Sequence, residues 1–76
     1  MKATAIEKIL TELMADQTLN GLIEVHTANR MWTLNSHIDE SGNEFKVDHD
    51  ENILYLATET QGTAWIDCDC VTSIEV

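Results

Sequence analysis

At Leu22 the spacing of apolar residues changes from a helical period to a strand period, and this one change restricts the chain to a helix followed by β-structure. Before it, Ile6, Ile9, Leu10, Leu13 and Met14 recur at i, i+3, i+4, i+7 and i+8, which is one face of a helix. Thr4 followed by Glu7 has the form of a capping box, so a helix is predicted over about residues 4–16. Asp16-Gln17-Thr18 ends the pattern and Asn20-Gly21 breaks the chain.

From Leu22 onward apolar and polar residues alternate. Leu22 to Thr27 reads as a first strand, Ala28-Asn29-Arg30 as a tight turn, and Met31 to Ile38 as a second strand with Trp32, Leu34 and Ser36 on one face. Asp39 to Asn43 forms a polar turn, and Phe45 and Val47 alternate with Lys46 and Asp48 in a short third strand. Asn52 to Thr58 is the most apolar run and suits a strand buried on both sides. Gln61-Gly62 turns the chain again. Two last strands, about 63–67 and 71–76, flank Asp67-Cys68-Asp69-Cys70. One helix and five or six short strands joined by brief turns indicate a single mostly β domain, residues 1–76, of the meander or small-barrel kind.

Composition then limits what such a domain can do. Seventy-six residues bury a modest fraction of their surface, so an unreinforced domain of this size is marginally stable. Self-association is the expected reinforcement, because the sequence holds only two cysteines and no complete set of metal ligands. Fourteen acidic residues against four basic ones give a net charge of −10. That field repels phosphate backbones and opposes binding of nucleic acid by counterion release. No run approaches a membrane span, and Glu7, Glu12 and Asp16 interrupt the N-terminal region where a signal peptide would be apolar. A cytoplasmic protein is expected, with Cys68 and Cys70 as two reduced, semi-buried thiols in the turn between the last two strands, too far apart for an easy disulfide.

Val47-Asp48-His49-Asp50-Glu51-Asn52-Ile53-Leu54-Tyr55-Leu56 resembles the first motif of the Sm/LSm/Hfq family: an apolar residue, Asp, three positions, Asn, then an apolar strand. Ala64 to Ile74 has the outline of the second motif, in which an apolar strand, a short polar turn and another apolar strand close the barrel. The helix before the first strand fits the same order. The resemblance implies a helix over 4–16 and, over 21–76, a strongly bent five-stranded antiparallel β-barrel of SH3-like form. It also implies a cyclic homo-oligomer of about five to seven subunits, one subunit's fourth strand pairing with its neighbour's fifth. Trp65, Ile66, Val71, Ile74 and Val76 are then the interface candidates. By the same resemblance Asn52 would hydrogen-bond a base edge, His49 would stack on it, and Asp48, Arg30 and Lys46 would complete a site for RNA or single-stranded DNA. Where RNA-binding relatives carry Arg-Gly in the second motif, this chain has Asp67-Cys68. An aspartate there repels phosphate.

Other constellations have simpler readings. Asp48, Asp50, Asn52 and Glu59 mimic the acidic positions of a calcium loop, but Ile53 stands where that loop needs glycine. Cys68 and Cys70 with His26, His37 or His49 offer zinc ligands without the second half-site. Neither a metal nor a cofactor is expected. Paired carboxylates are unavoidable among fourteen acids, and nothing in the sequence builds a cleft around them, so no enzyme is expected. Two functions remain: a ring-forming subunit that contacts RNA or single-stranded DNA, and an acidic protein-interaction module, or nucleic-acid mimic, that binds basic partners.

Overall fold

The computed structural model describes residues 1–16, 21–36 and 43–76. Helix α1 (Ala3–Ala15) begins one residue earlier than expected, and Lys2 rather than Thr4 is its N-cap. No side chain caps it, so the Thr4–Glu7 capping box does not form. The reason is tertiary. The amino group of Met1 donates to the carbonyls of Cys68 at 3.0 Å and Val71 at 2.6 Å, which fixes the entry to the helix before Thr4 can act. Ile6 and Leu10 are fully buried, and Leu13 and Met14 pack beside them, as the helical spacing requires.

Among the described residues six strands follow: β1 (Leu22–Thr27), β2 (Met31–Asn35), β3 (Glu44–Asp48), β4 (Ile53–Thr58), β5 (Gly62–Asp67) and β6 (Val71–Glu75). They form two three-stranded antiparallel sheets, in the orders β2-β1-β6 and β3-β4-β5. Among the described residues the two sheets are not joined into a closed barrel. Strand β2 stops at Asn35. The predicted continuation through His37 and Ile38, and most of the polar turn after it, lie outside the described residues.

Register assigns the faces. Ile23 opposes Leu34 and Val25 opposes Trp32 and Ile74; Phe45 opposes Leu56 and Val47 opposes Leu54. These inner rows, with Ile6, Leu10, Cys68 and Val71, are the core. Fully burying each such aliphatic side chain contributes roughly 1.5–3 kcal/mol. Strand β4 is central, but it is not buried on both sides as its apolar run suggested. Leu54 and Leu56 face the core while Ile53 and Tyr55 are only half-buried on the outer face. Its outer face has no third layer among the described elements.

A polar latch joins the sheets. Gln61, in the turn between β4 and β5, accepts from the Thr33 backbone N–H (2.7 Å) and hydroxyl (3.1 Å) and donates to the Met31 carbonyl (2.9 Å). It thereby satisfies part of the outer edge of β2. The next residue, Gly62, has φ +80°, a left-handed conformation that a Cβ makes costly. Cys68–Cys70 form one 3-10 turn between β5 and β6. In a turn, unlike a strand, residues two apart diverge, so Cys68 is buried and Cys70 exposed. No described helix is long and apolar enough to cross a membrane.

Candidate functional site

The β3–β4 hairpin carries four of the five residues proposed from sequence as a nucleic-acid site. Its tip is held by its own side chains. Asp48 Oδ1 accepts from the Glu51 backbone N–H at 3.0 Å, and Asn52 takes the left-handed conformation (φ +57°) that closes the turn. Asparagine tolerates that conformation better than other residues with a Cβ. The Asn52 side-chain amide donates to Asp67 Oδ1 at 3.2 Å, the Asn52 backbone carbonyl accepts from the Cys68 N–H at 2.9 Å, and Asp67 Oδ1 also accepts from the Asp69 N–H at 2.9 Å. The hairpin tip and the 3-10 turn are therefore one network. His49 Nε2 lies 3.0 Å from Glu7 Oε1 and ties the same tip to α1.

Asp48, His49, Asn52 and Lys46 thus share one hairpin, but Arg30 does not join them. It sits in the β1–β2 turn of the other sheet, its guanidinium carbon 4.0 Å from the centre of the Trp32 ring. The calcium-like set is also dispersed, because Asp48 and Glu59 lie beyond opposite ends of β4. Of the interface candidates, Ile66 and Ile74 turn inward to pack on the core and Val71 is part of it. Trp65 and Val76 are each 70% exposed.

The outer face of the β3-β4-β5 sheet holds an arrangement that sequence did not single out. Cross-strand register aligns Lys46, Tyr55 and Trp65 in one row. The Tyr55 and Trp65 rings are 5.4 Å apart and tilted by 56°, within the range of favourable aromatic pairs. The Lys46 ammonium lies 5.9 Å from the Tyr55 ring centre. An open groove of about 810 Å³ runs beside these rings to the hairpin tip, bounded by Lys46, Asp48, Asp50, Ile53, Tyr55 and Trp65. Period-2 alternation around Leu54 placed Tyr55 opposite the core, and that was the available signal. The apolar run around Tyr55 concealed it.

Two further groups bear on chemistry. On the β1–β6 pair, Glu24 and Glu75 stand directly opposite each other, and His26 Nε2 lies 2.9 Å from one carboxylate and 3.4 Å from the other. The three ligand atoms fall within 4.8 Å of one another, a donor set of the type that can hold a divalent metal ion; here the imidazole already separates two carboxylates that would otherwise repel. Cys68 is a core thiol. Burial, and then the neighbouring Asp67 carboxylate, push its pKa above the ordinary value, which opposes formation of a nucleophilic thiolate. Comparison with known proteins finds no matching family model, no matching curated protein and no matching solved structure.

Proposed function

We propose that this chain is a non-enzymatic, Sm-like assembly subunit that closes into a cyclic homo-oligomer and presents an acidic surface to basic protein partners. Strands β2 and β3 are consecutive in the chain yet lie in different sheets. A helix in front and a short turn before the last strand match the element order of the resembled family.

The observation that carries the reading is the state of the sheet edges. β5 and β6 are edge strands of six and five residues, and neither contains the lysine or proline with which edge strands are commonly protected. An unprotected edge on each sheet, β5 on one and β6 on the other, suits head-to-tail pairing that closes on itself. Val76 supplies exposed apolar surface at β6, and pairing at β5 runs through the strand backbone, with Trp65 on the outer sheet face beside Tyr55. Ile66, Val71 and Ile74 hold the edges from within. Free thiols at Cys68 and Cys70 suit a reducing compartment such as the cytoplasm.

Contact with RNA or single-stranded DNA is the secondary reading. It would use Asn52 and His49, whose side chains are already paired with Asp67 and Glu7, amid the carboxylates of Asp48, Asp50 and Glu51. Native mass spectrometry tests assembly: a closed oligomer of fixed size is expected, and a monomer at high concentration defeats the proposal. Fluorescence anisotropy with labelled oligo-uridine and oligo-adenine, at ~50 mM salt where screening is weak, separates the partners. No binding is expected, and tight binding would favour the nucleic-acid reading.

A further inference from the structure

We infer that the outer face of the β3-β4-β5 sheet is a recognition site for an arginine side chain of a basic protein segment, formed by the Tyr55–Trp65 corner and the carboxylates of Asp48 and Asp50. This rests on the partner half of the reading above and is independent of assembly.

Three observations converge on it. First, Trp65 is 70% exposed and stands at 56° to Tyr55, so the two rings form an open corner rather than a closed contact. Second, the chain already seats cations on aromatic faces: Arg30 lies 4.0 Å from the Trp32 ring centre and Lys46 lies 5.9 Å from that of Tyr55. Among the described residues no such cation covers Trp65. Third, the groove of about 810 Å³ beside the rings carries Asp48 and Asp50 on its wall, with Lys46 over Tyr55 and His49 held against Glu7, within a chain of net charge −10. Charge complementarity therefore specifies a cationic occupant and opposes a phosphate. Arginine fits better than lysine because its planar guanidinium stacks on an indole while its edge donates to carboxylates.

Lys46 makes the proposal discriminating. It occupies the Tyr55 face and repels an incoming cation, so it acts here as an internal competitor. If the groove took phosphate, Lys46 would instead be its principal attraction.

The test uses the full chain and a short peptide in which arginine alternates with glycine and serine, beside its citrulline counterpart of the same shape without charge. Binding is followed by the Trp65 indole N–H resonance and by anisotropy of the labelled peptide. The arginine peptide should shift the Trp65 signal, and citrulline should bind at least roughly tenfold more weakly. Trp65→Ala should reduce arginine-peptide affinity by about tenfold. Lys46→Gln should raise it roughly two- to tenfold by freeing the Tyr55 face. Both positions are on the outer face, and unchanged far-ultraviolet circular dichroism would show the fold retained. No binding of the arginine peptide, equal binding of citrulline, or weaker binding in Lys46→Gln would each overturn the proposal. Binding by a chain that proves monomeric would uphold this site while removing only the ring.

Discussion

Gln61 shows how much a single polar side chain can do in a domain with so small a core. Its amide serves three backbone or hydroxyl groups of β2 from a turn of the opposite sheet. Gln61→Leu keeps the bulk and leaves those groups to find water, at about 1–2 kcal/mol because the site is only partly buried. A fall in the thermal midpoint of several degrees is expected, since each kcal/mol shifts a domain of this size by roughly 4–8 °C. The two thiols make a second residue-scale contrast. Cys70 is exposed and Cys68 buried, so an aromatic disulfide reagent should titrate one thiol promptly and the other only on unfolding. Because folding raises the Cys68 pKa above its ordinary 9.0, the neutral thiol's contribution to stability is complete below pH 9.0. It is lost as pH rises through the folded value. Urea midpoints of wild type should therefore drop more steeply above pH 9.0 than those of Cys68→Ala. None of these roles was legible in sequence. A glutamine beside a glycine reads as turn whether or not it reaches another sheet, and the Cys-x-Cys turn between the last two strands does not say which thiol is buried.

At the scale of elements, the sequence was most informative where one physical requirement dominated. The apolar stripe of α1 had to meet a core, and it does through Ile6 and Leu10. Alternation in β2 and β3 sorted inner from outer residues correctly. It failed where two requirements gave the same pattern. Ile53-Leu54-Tyr55-Leu56 is apolar at every position; a strand buried on both sides and a strand with an aromatic outer face look identical in such a run. The capping box failed differently, because the contacts of Met1 with the 3-10 turn outrank local capping. The candidate site was legible in half. The hairpin residues were identified from their motif, whereas the Tyr55–Trp65 pair needed the β4–β5 register to bring together residues ten apart. The edges of β5 and β6 yield the prediction proper to this scale. If copies pair there, hydrogen exchange of outward-facing amides in residues 62–67 and 71–75 should slow as protein concentration rises, while amides of α1 keep their rates. Concentration-independent exchange at both edges would exclude that pairing.

For the whole molecule, the governing quantity is a charge of −10 on 76 residues. It makes the three candidate associations respond to salt in different directions. Copies of the chain repel one another, so assembly must be held by backbone pairing and apolar contact and opposed by the field. Adding sodium chloride shortens the screening length from about 10 Å at 0.1 M to about 3 Å at 1 M and should strengthen assembly. A cationic peptide is drawn in by the same field, so its affinity should fall over that range. Nucleic-acid binding that released counterions would also weaken with salt, but its slope would count phosphate contacts and require basic residues. The chain has four, of which Arg30 and Lys46 lie over aromatic rings. Measuring oligomer mass and peptide affinity along one salt series therefore separates the terms. Opposite slopes follow if the acidic field acts on both processes as argued. An assembly that dissociated with added salt would have to be held by ion pairs instead. With four basic residues against fourteen acidic ones, such pairs would be too few to offset the repulsion between copies.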